Sequence, residues 1–197
     1  MTATRFAAVL AAIDSANSAD PRRTAAGEAV ELVYGRRMAQ TLGQLAPDAS
    51  ELLRIAVRGQ HIERWTSPRD SYPQGRVGYL KWRAELKDFH ARRVGEIMAA
   101  AGYDSGDIAR VAALIRKEKL KYDAEAQTLE DVACIVFLEN YFAEFSKSYD
   151  DIKVIGILRK TWAKMSPAGH AAALALDMPP RAAKLVEAAL AGAPDQH

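Results

Sequence analysis

Residues Arg76–Ala101 read RVGYLKWRAELKDFHARRVGEIMAAA. Within them Leu86, His90, Val94 and Ile97 recur at steps of four, four and three, which places them on one face of a helix, with charged residues dominating the opposite face. Gly102 supplies the C-terminal stop for this helix. Upstream, Thr66 to Gly75 contains Pro68, Pro73 and Gly75 and reads as an ordered loop. Asp48 with Glu51 forms an N-cap pattern that opens a helix reaching Arg64 or Trp65. Further back, Asp20-Pro21 separates a first helix over Thr4 to Asn17 from a second over Ala25 to Leu45. Downstream, Asp104 or Ser105 caps a helix through Lys119, Thr128 caps one through Phe142, and another spans Asp151 to Lys164. Two short helices begin after Ser166-Pro167 and Pro179-Pro180, where proline suits the first turn.

The same three- and four-residue steps run through the chain, and alternating runs bounded by hairpin turns are absent, so the expected fold class is all-α. Neither a repeat nor a linker divides it. The expectation is a single-domain helical bundle over residues 1–191 with a disordered tail at 192–197. Its 197 residues, 49% of them hydrophobic, suffice for a core without a metal or disulfide staple. Cys134 is the sole cysteine and sits among Val132, Ala133, Ile135 and Val136, the setting of a buried, inert thiol. Phe6 to Ile13 is apolar but short, lacks a signal-peptide cleavage site, and no segment has the length of a membrane span. The protein is therefore expected in the cytoplasm, with no membrane partner.

Four polar residues fall on apolar stripes. His61 follows Leu53 and Val57, His90 lies in the row already quoted, Glu118 extends Val111 and Ile115, and Asp131 precedes Ile135, Leu138 and Phe142. Each, taken singly, reads equally as a hydrogen-bonded core residue. Taken together, two imidazoles and two carboxylates aimed inward from four helices suit a divalent transition metal, manganese or iron, which offsets the desolvation of the acids.

A basic stretch flanks both histidines. Arg54 to Arg93 holds ten Lys or Arg against four acids, although the whole chain carries only +2. Arg64, Arg69, Arg76, Arg83 and Lys87 are the candidates for binding a small anionic ligand, since guanidinium bonds phosphate and carboxylate in pairs. Lys117 and Lys119, which bracket Glu118, are weaker candidates. Tyr72, Tyr79, Trp82 and Trp65 interleave these bases and suit base stacking, but near-neutral total charge places nucleic acid behind small anions as a partner. The oligomeric state is not legible.

Two resemblances extend this reading. The order of His61, His90 and Asp131 resembles the HD-domain superfamily of helical, metal-dependent phosphohydrolases. That resemblance implies an HD-like bundle in which His61, His90, Glu118 and Asp131 ligate metal. Tyr34 stands where the first His belongs and Ile62 where the paired Asp belongs. Glu31, one turn before Tyr34, or Glu63 would compensate, and His61, Glu63 and Arg64 would carry catalysis. The stretches Glu31-Leu32-Val33-Tyr34-Gly35, Gln60-His61-Ile62-Glu63-Arg64-Trp65, Tyr72-Pro73 through Gly78-Tyr79-Leu80, and Leu129-Glu130-Asp131-Val132-Ala133 resemble a bacterial family known as domain of unknown function 4202. The functions these readings admit are a hydrolase of a phosphorylated or nucleotide-like small molecule, a non-catalytic binding module for an anionic metabolite, partner protein or RNA, and an HD-like di-iron oxygenase.

Overall fold

The computed structural model describes residues 4–191, so the predicted tail at 192–197 lies outside the described residues. The described residues form α-helices, two 3-10 turns and no strand; a lone antiparallel bridge joins Arg23 to Ala29. The all-α expectation holds. Two compact units divide after Leu129. The first contains α1 (Arg5–Ser18), α2 (Val30–Leu45), α3 (Glu51–Gly59), the turns Arg64–Thr66 and Arg69–Ser71, α4 (Gly75–Ala100) and α5 (Ser105–Arg116). The division falls inside α6 (Ala124–Asn140), and α7 (Phe142–Lys147), α8 (Asp151–Trp162), α9 (Pro167–Leu174) and α10 (Pro180–Leu190) belong to the second unit.

Side-chain caps start most of these helices. Thr4, Ser50, Asp104, Asp150 and Ser166 each accept a hydrogen bond from a backbone N–H three residues on, satisfying a donor that has no partner inside the helix. Where the sequence reading misplaced an end, a specific group is responsible. α2 starts at Val30 rather than Ala25 because the Asp20 carboxylate accepts from the backbone N–H of both Arg22 (3.0 Å) and Glu31 (3.1 Å), tying down an irregular segment. α6 starts at Ala124, ahead of Thr128, because Asp123 accepts from the N–H groups of Glu125 and Ala126. α3 stops at Gly59 and α5 at Arg116, each followed by a residue or turn in the left-handed region.

The core of the first unit is apolar and closed. Val9 and Ile13 of α1, Met38 of α2, Ile55 and Val57 of α3, Val94 and Met98 of α4 and Val111 and Leu114 of α5 are at most 1% exposed. Burying each such side chain contributes roughly 1.5–3 kcal/mol relative to leaving it in water. α4 packs on α5 and α3, and α3 also packs on α2 and α1. The approach of α3 to α4 needs glycine: a β-carbon at Gly59 would stand 2.5 Å from Cγ2 of the buried Val94. That approach sets the turn after α3 beside the middle of α4.

The predicted loop before α4 is ordered and closed on itself. Arg69 donates to the carbonyls of Tyr72 (3.0 Å) and Pro73 (2.9 Å), and Tyr72 Oη donates to Glu85 of α4 (2.6 Å). Trp82 Nε1 donates to the Ser67 carbonyl (2.9 Å), and a β-carbon on Gly78 would lie 1.9 Å from the Pro73 carbonyl oxygen. In the second unit α8 and α7 pack on α10, burying Val154, Leu158, Leu185 and Ala189. None of the described helices is long and apolar enough to cross a membrane.

Candidate functional site

The site grows from the turn Gln60–Glu63. Gln60 Nε2 donates to Tyr34 Oη (2.6 Å), and the Glu63 N–H donates to Oδ1 of the buried Asn17 (3.0 Å), which holds Glu63 at φ 52. Ile62, between them, is fully buried, and its carbonyl faces α4. There it meets Nδ1 of His90 at 2.8 Å. A carbonyl only accepts, so the His90 proton resides on Nδ1 and Nε2 carries a bare lone pair. His90 is 3% exposed and its Nε2 has no hydrogen-bond partner among the described residues. Burial, reinforced by the charge of Arg64 and opposed by the Ile62 bond, pushes the imidazole down to about 4.

His61 stacks on Tyr34 with ring centroids 4.1 Å apart and an 11° tilt, and its ring lies 5.9 Å from that of His90. Arg64 Nη1 stands 2.9 Å from His61 Nε2. The same Nη1 is 3.4 Å from His61 Nδ1, so the guanidinium lies over the imidazole face, a contact that favours the neutral ring. Burial first, then the charges of Arg64, His90, Lys117 and Arg83, hold His61 well below the ordinary imidazole range. Glu31 Oε2 lies 3.8 Å from His61 Nδ1, beyond hydrogen-bond reach, and with a neutral ring this is no ion pair. Glu31 instead accepts from Arg22 (2.6 Å), which also grips Asp20 through two bonds of 3.0 and 2.8 Å. Burial raises Glu31 against the opposing pull of Arg22 and Arg64. At Asp20 burial acts upward too, but the bonds from Arg22 and Glu31 outweigh it and the carboxyl is lowered. Arg22 therefore has two carboxylates.

Arg64 has none within ion-pair distance among the described residues. Its guanidinium packs against His61 and lies 5.0 Å from the Trp82 ring. Burial lowers its pKa, Glu31 and Tyr34 oppose the change, and Arg83 and Arg22 add to it. The centre thus combines a desolvated, under-compensated cation with two neutral imidazoles, and Arg83 and Lys117 add positive potential. The guanidinium supplies hydrogen-bond donors and His90 Nε2 a lone pair.

The predicted residues distribute as follows. His61, His90, Glu31 and Arg64 come together, with Arg83 near enough to act on His61. Glu118 is a correction: α5 ends before it, Lys117 turns into the left-handed region at φ 58, and the Glu118 side chain is 53% exposed beside Arg116. Glu63 is held by Arg93 (2.9 Å), and Arg69 by loop carbonyls. Arg76 stands exposed on the first turn of α4, and Lys87 is half-buried in its middle. Asp131 belongs to the second unit, where its carboxylate accepts from the N–H (2.8 Å) and hydroxyl (2.5 Å) of Ser166. Sequence reasoning passed over Arg22 and Asp20, whose only signal is their place at the Asp20-Pro21 break, and it undervalued Lys117. Among the described residues no group of three or more His, Cys, Asp or Glu side chains is placed to hold a metal ion.

The fold and site define an all-α protein with a buried imidazole–guanidinium–carboxylate centre in its first unit. The family model described as domain of unknown function (DUF4202) matches residues 7–186, and the chain belongs to that family. No curated protein and no solved structure matches it.

Proposed function

We propose that the first unit binds a small phosphorylated or carboxylated molecule at Arg64, with His61 and Arg83 beside it. The observation that carries this reading is the half-buried Arg64 guanidinium, packed against His61 and Trp82 without a carboxylate within ion-pair distance among the described residues. Leaving such a cation uncompensated costs stability, and an incoming anion offsets that cost. Arg22 serves as a contrast, since Asp20 and Glu31 already neutralise it. Titration calorimetry with inorganic phosphate tests the reading. Arg64→Ala is expected to weaken binding by about ten- to a hundredfold, the range for a charge-assisted hydrogen-bonded contact, and Arg64→Lys by less. Phosphate, pyrophosphate and citrate all failing to bind wild type at millimolar concentration would overturn it.

A metal-dependent, HD-like phosphohydrolase is the second reading. Supporting it are two neighbouring imidazoles held neutral, which is the ligating form, one of them oriented through Nδ1 by a backbone carbonyl. The donor set does not fit a manganese or iron centre as it stands: Arg64 faces His61 Nε2, Glu118 is exposed, and Asp131 is engaged with Ser166. The di-iron reading meets the same obstacle. Elemental analysis of protein purified without chelators or a His tag separates the readings. Near-stoichiometric transition metal that is lost in folded His90→Ala would replace the anion reading with this one.

A further inference from the structure

We propose that the anion site reads a proton on its ligand, preferring hydrogen phosphate or a singly charged phosphomonoester over a fully deprotonated tetrahedral oxyanion such as sulfate, because the ligand's P–O–H donates to Nε2 of His90. The inference rests on the anion reading of Arg64 and names the class of anion selected.

The argument starts from the lone pair. His90 is held from behind by the Ile62 carbonyl at 2.8 Å, which fixes the tautomer and leaves Nε2 able to accept and unable to donate. The atom is buried and has no partner among the described residues, an arrangement that costs free energy until something donates to it. Neighbouring groups are poor donors for the purpose. Arg64 packs over the His61 ring and makes no bond to His90, and Ile62 offers His90 its carbonyl, which has no hydrogen to give. The His61 ring, whose side chain is 25% exposed, lies 5.9 Å from His90 and stands nearer to solvent than the buried His90.

On this proposal a tetrahedral anion seated on the Arg64 guanidinium, whose charge reaches His90, turns one oxygen towards this lone pair. For sulfate at neutral pH that oxygen has no hydrogen, so lone pair faces lone pair and the buried acceptor stays unsatisfied. Inorganic phosphate at the same pH always keeps at least one O–H. Its hydroxyl satisfies Nε2 while its charged oxygens take the guanidinium donors. Two anions of similar size and charge are then separated by one hydrogen bond whose loss leaves a buried group unpaired.

The test uses the full chain labelled with 15N-histidine, titrated with sodium phosphate and with sodium sulfate at equal ionic strength and pH 7. The expected result is a dissociation constant about tenfold lower for phosphate, the effect of one such hydrogen bond, and a His90 Nε2 resonance that moves with phosphate and stays with sulfate. His90→Phe is expected to bring the two affinities together by weakening phosphate alone. If that variant fails to fold, the wild-type comparison and the nitrogen resonance still decide. Equal affinities in wild type, or a resonance indifferent to phosphate, would sink the inference while leaving the anion site standing. Binding of neither anion would overturn this inference, and failure of pyrophosphate and citrate as well would remove the anion reading of Arg64.

Discussion

His90 shows how a single carbonyl settles the chemistry of a residue. Its place on the apolar stripe was legible from Leu86, Val94 and Ile97, and so was the need for a partner. The identity of that partner was not, because the Ile62 carbonyl comes from a turn 28 residues away. Burial has a consequence for stability with a definite sign. The ordinary imidazole value is 6.5 and the folded value about 4, so as pH falls the unfolded chain takes up the proton first. Stability present above pH 6.5 is lost as the pH falls towards 4, by about 3 kcal/mol from this residue. His61 acts in the same direction, whereas Glu31, raised in the fold, acts oppositely. Urea midpoints at pH 7.5 and 4.5 should therefore fall more steeply in wild type than in His90→Phe. Parallel slopes would mean that the buried imidazole is protonated without penalty.

Helix ends mark the limit of what pattern reveals at the level of the element. Arg116, Lys117, Glu118 and Lys119 are all good helix formers, and periodicity carried α5 through them. The chain nevertheless turns at Lys117 and again at Lys119, at φ 58 and 53, with no glycine to announce it. That unannounced turn is why Glu118 was expected inside and is found outside, and why Lys117 faces the charges around His61. A non-glycine residue in this region costs on the order of 1 kcal/mol. Lys119→Gly is expected to raise the unfolding free energy by about 1 kcal/mol and to leave phosphate affinity unchanged. Lys117→Ala is expected to weaken phosphate binding severalfold. Denaturation and titration calorimetry of the two variants check the pair, and a loss of phosphate binding in Lys119→Gly would contradict the assignment. Other elements were plainer: the prolines of Thr66–Gly75, Ser166-Pro167 and Pro179-Pro180 break or begin helices where the sequence says they should.

For the whole molecule, periodicity sufficed for the all-α class, and the sequence stretches named at the outset sufficed for the family. The partition into two units was not legible, since α6 runs through the division without a break in pattern. Asp131 lies just past it, and its inward position was foreseen while its bonds to Ser166 were not, because the partner is 35 residues distant. Asp131→Ala should lower the unfolding free energy by about 2 kcal/mol and loosen the start of α9, read as faster amide exchange at Gly169 and His170. Unchanged exchange there would show that the Ser166 bonds do not hold that helix. The loop before α4 carries a different implication. Arg69 clips it to its own carbonyls, Ser67 holds Trp82, and Trp82 lies under Arg64. The conformational entropy of that chain of supports is therefore surrendered when the protein folds, before any ligand arrives. On the proposed reading, a small anion at Arg64 would meet a rigid receptor, and the encounter would not be slowed by the ordering of this loop.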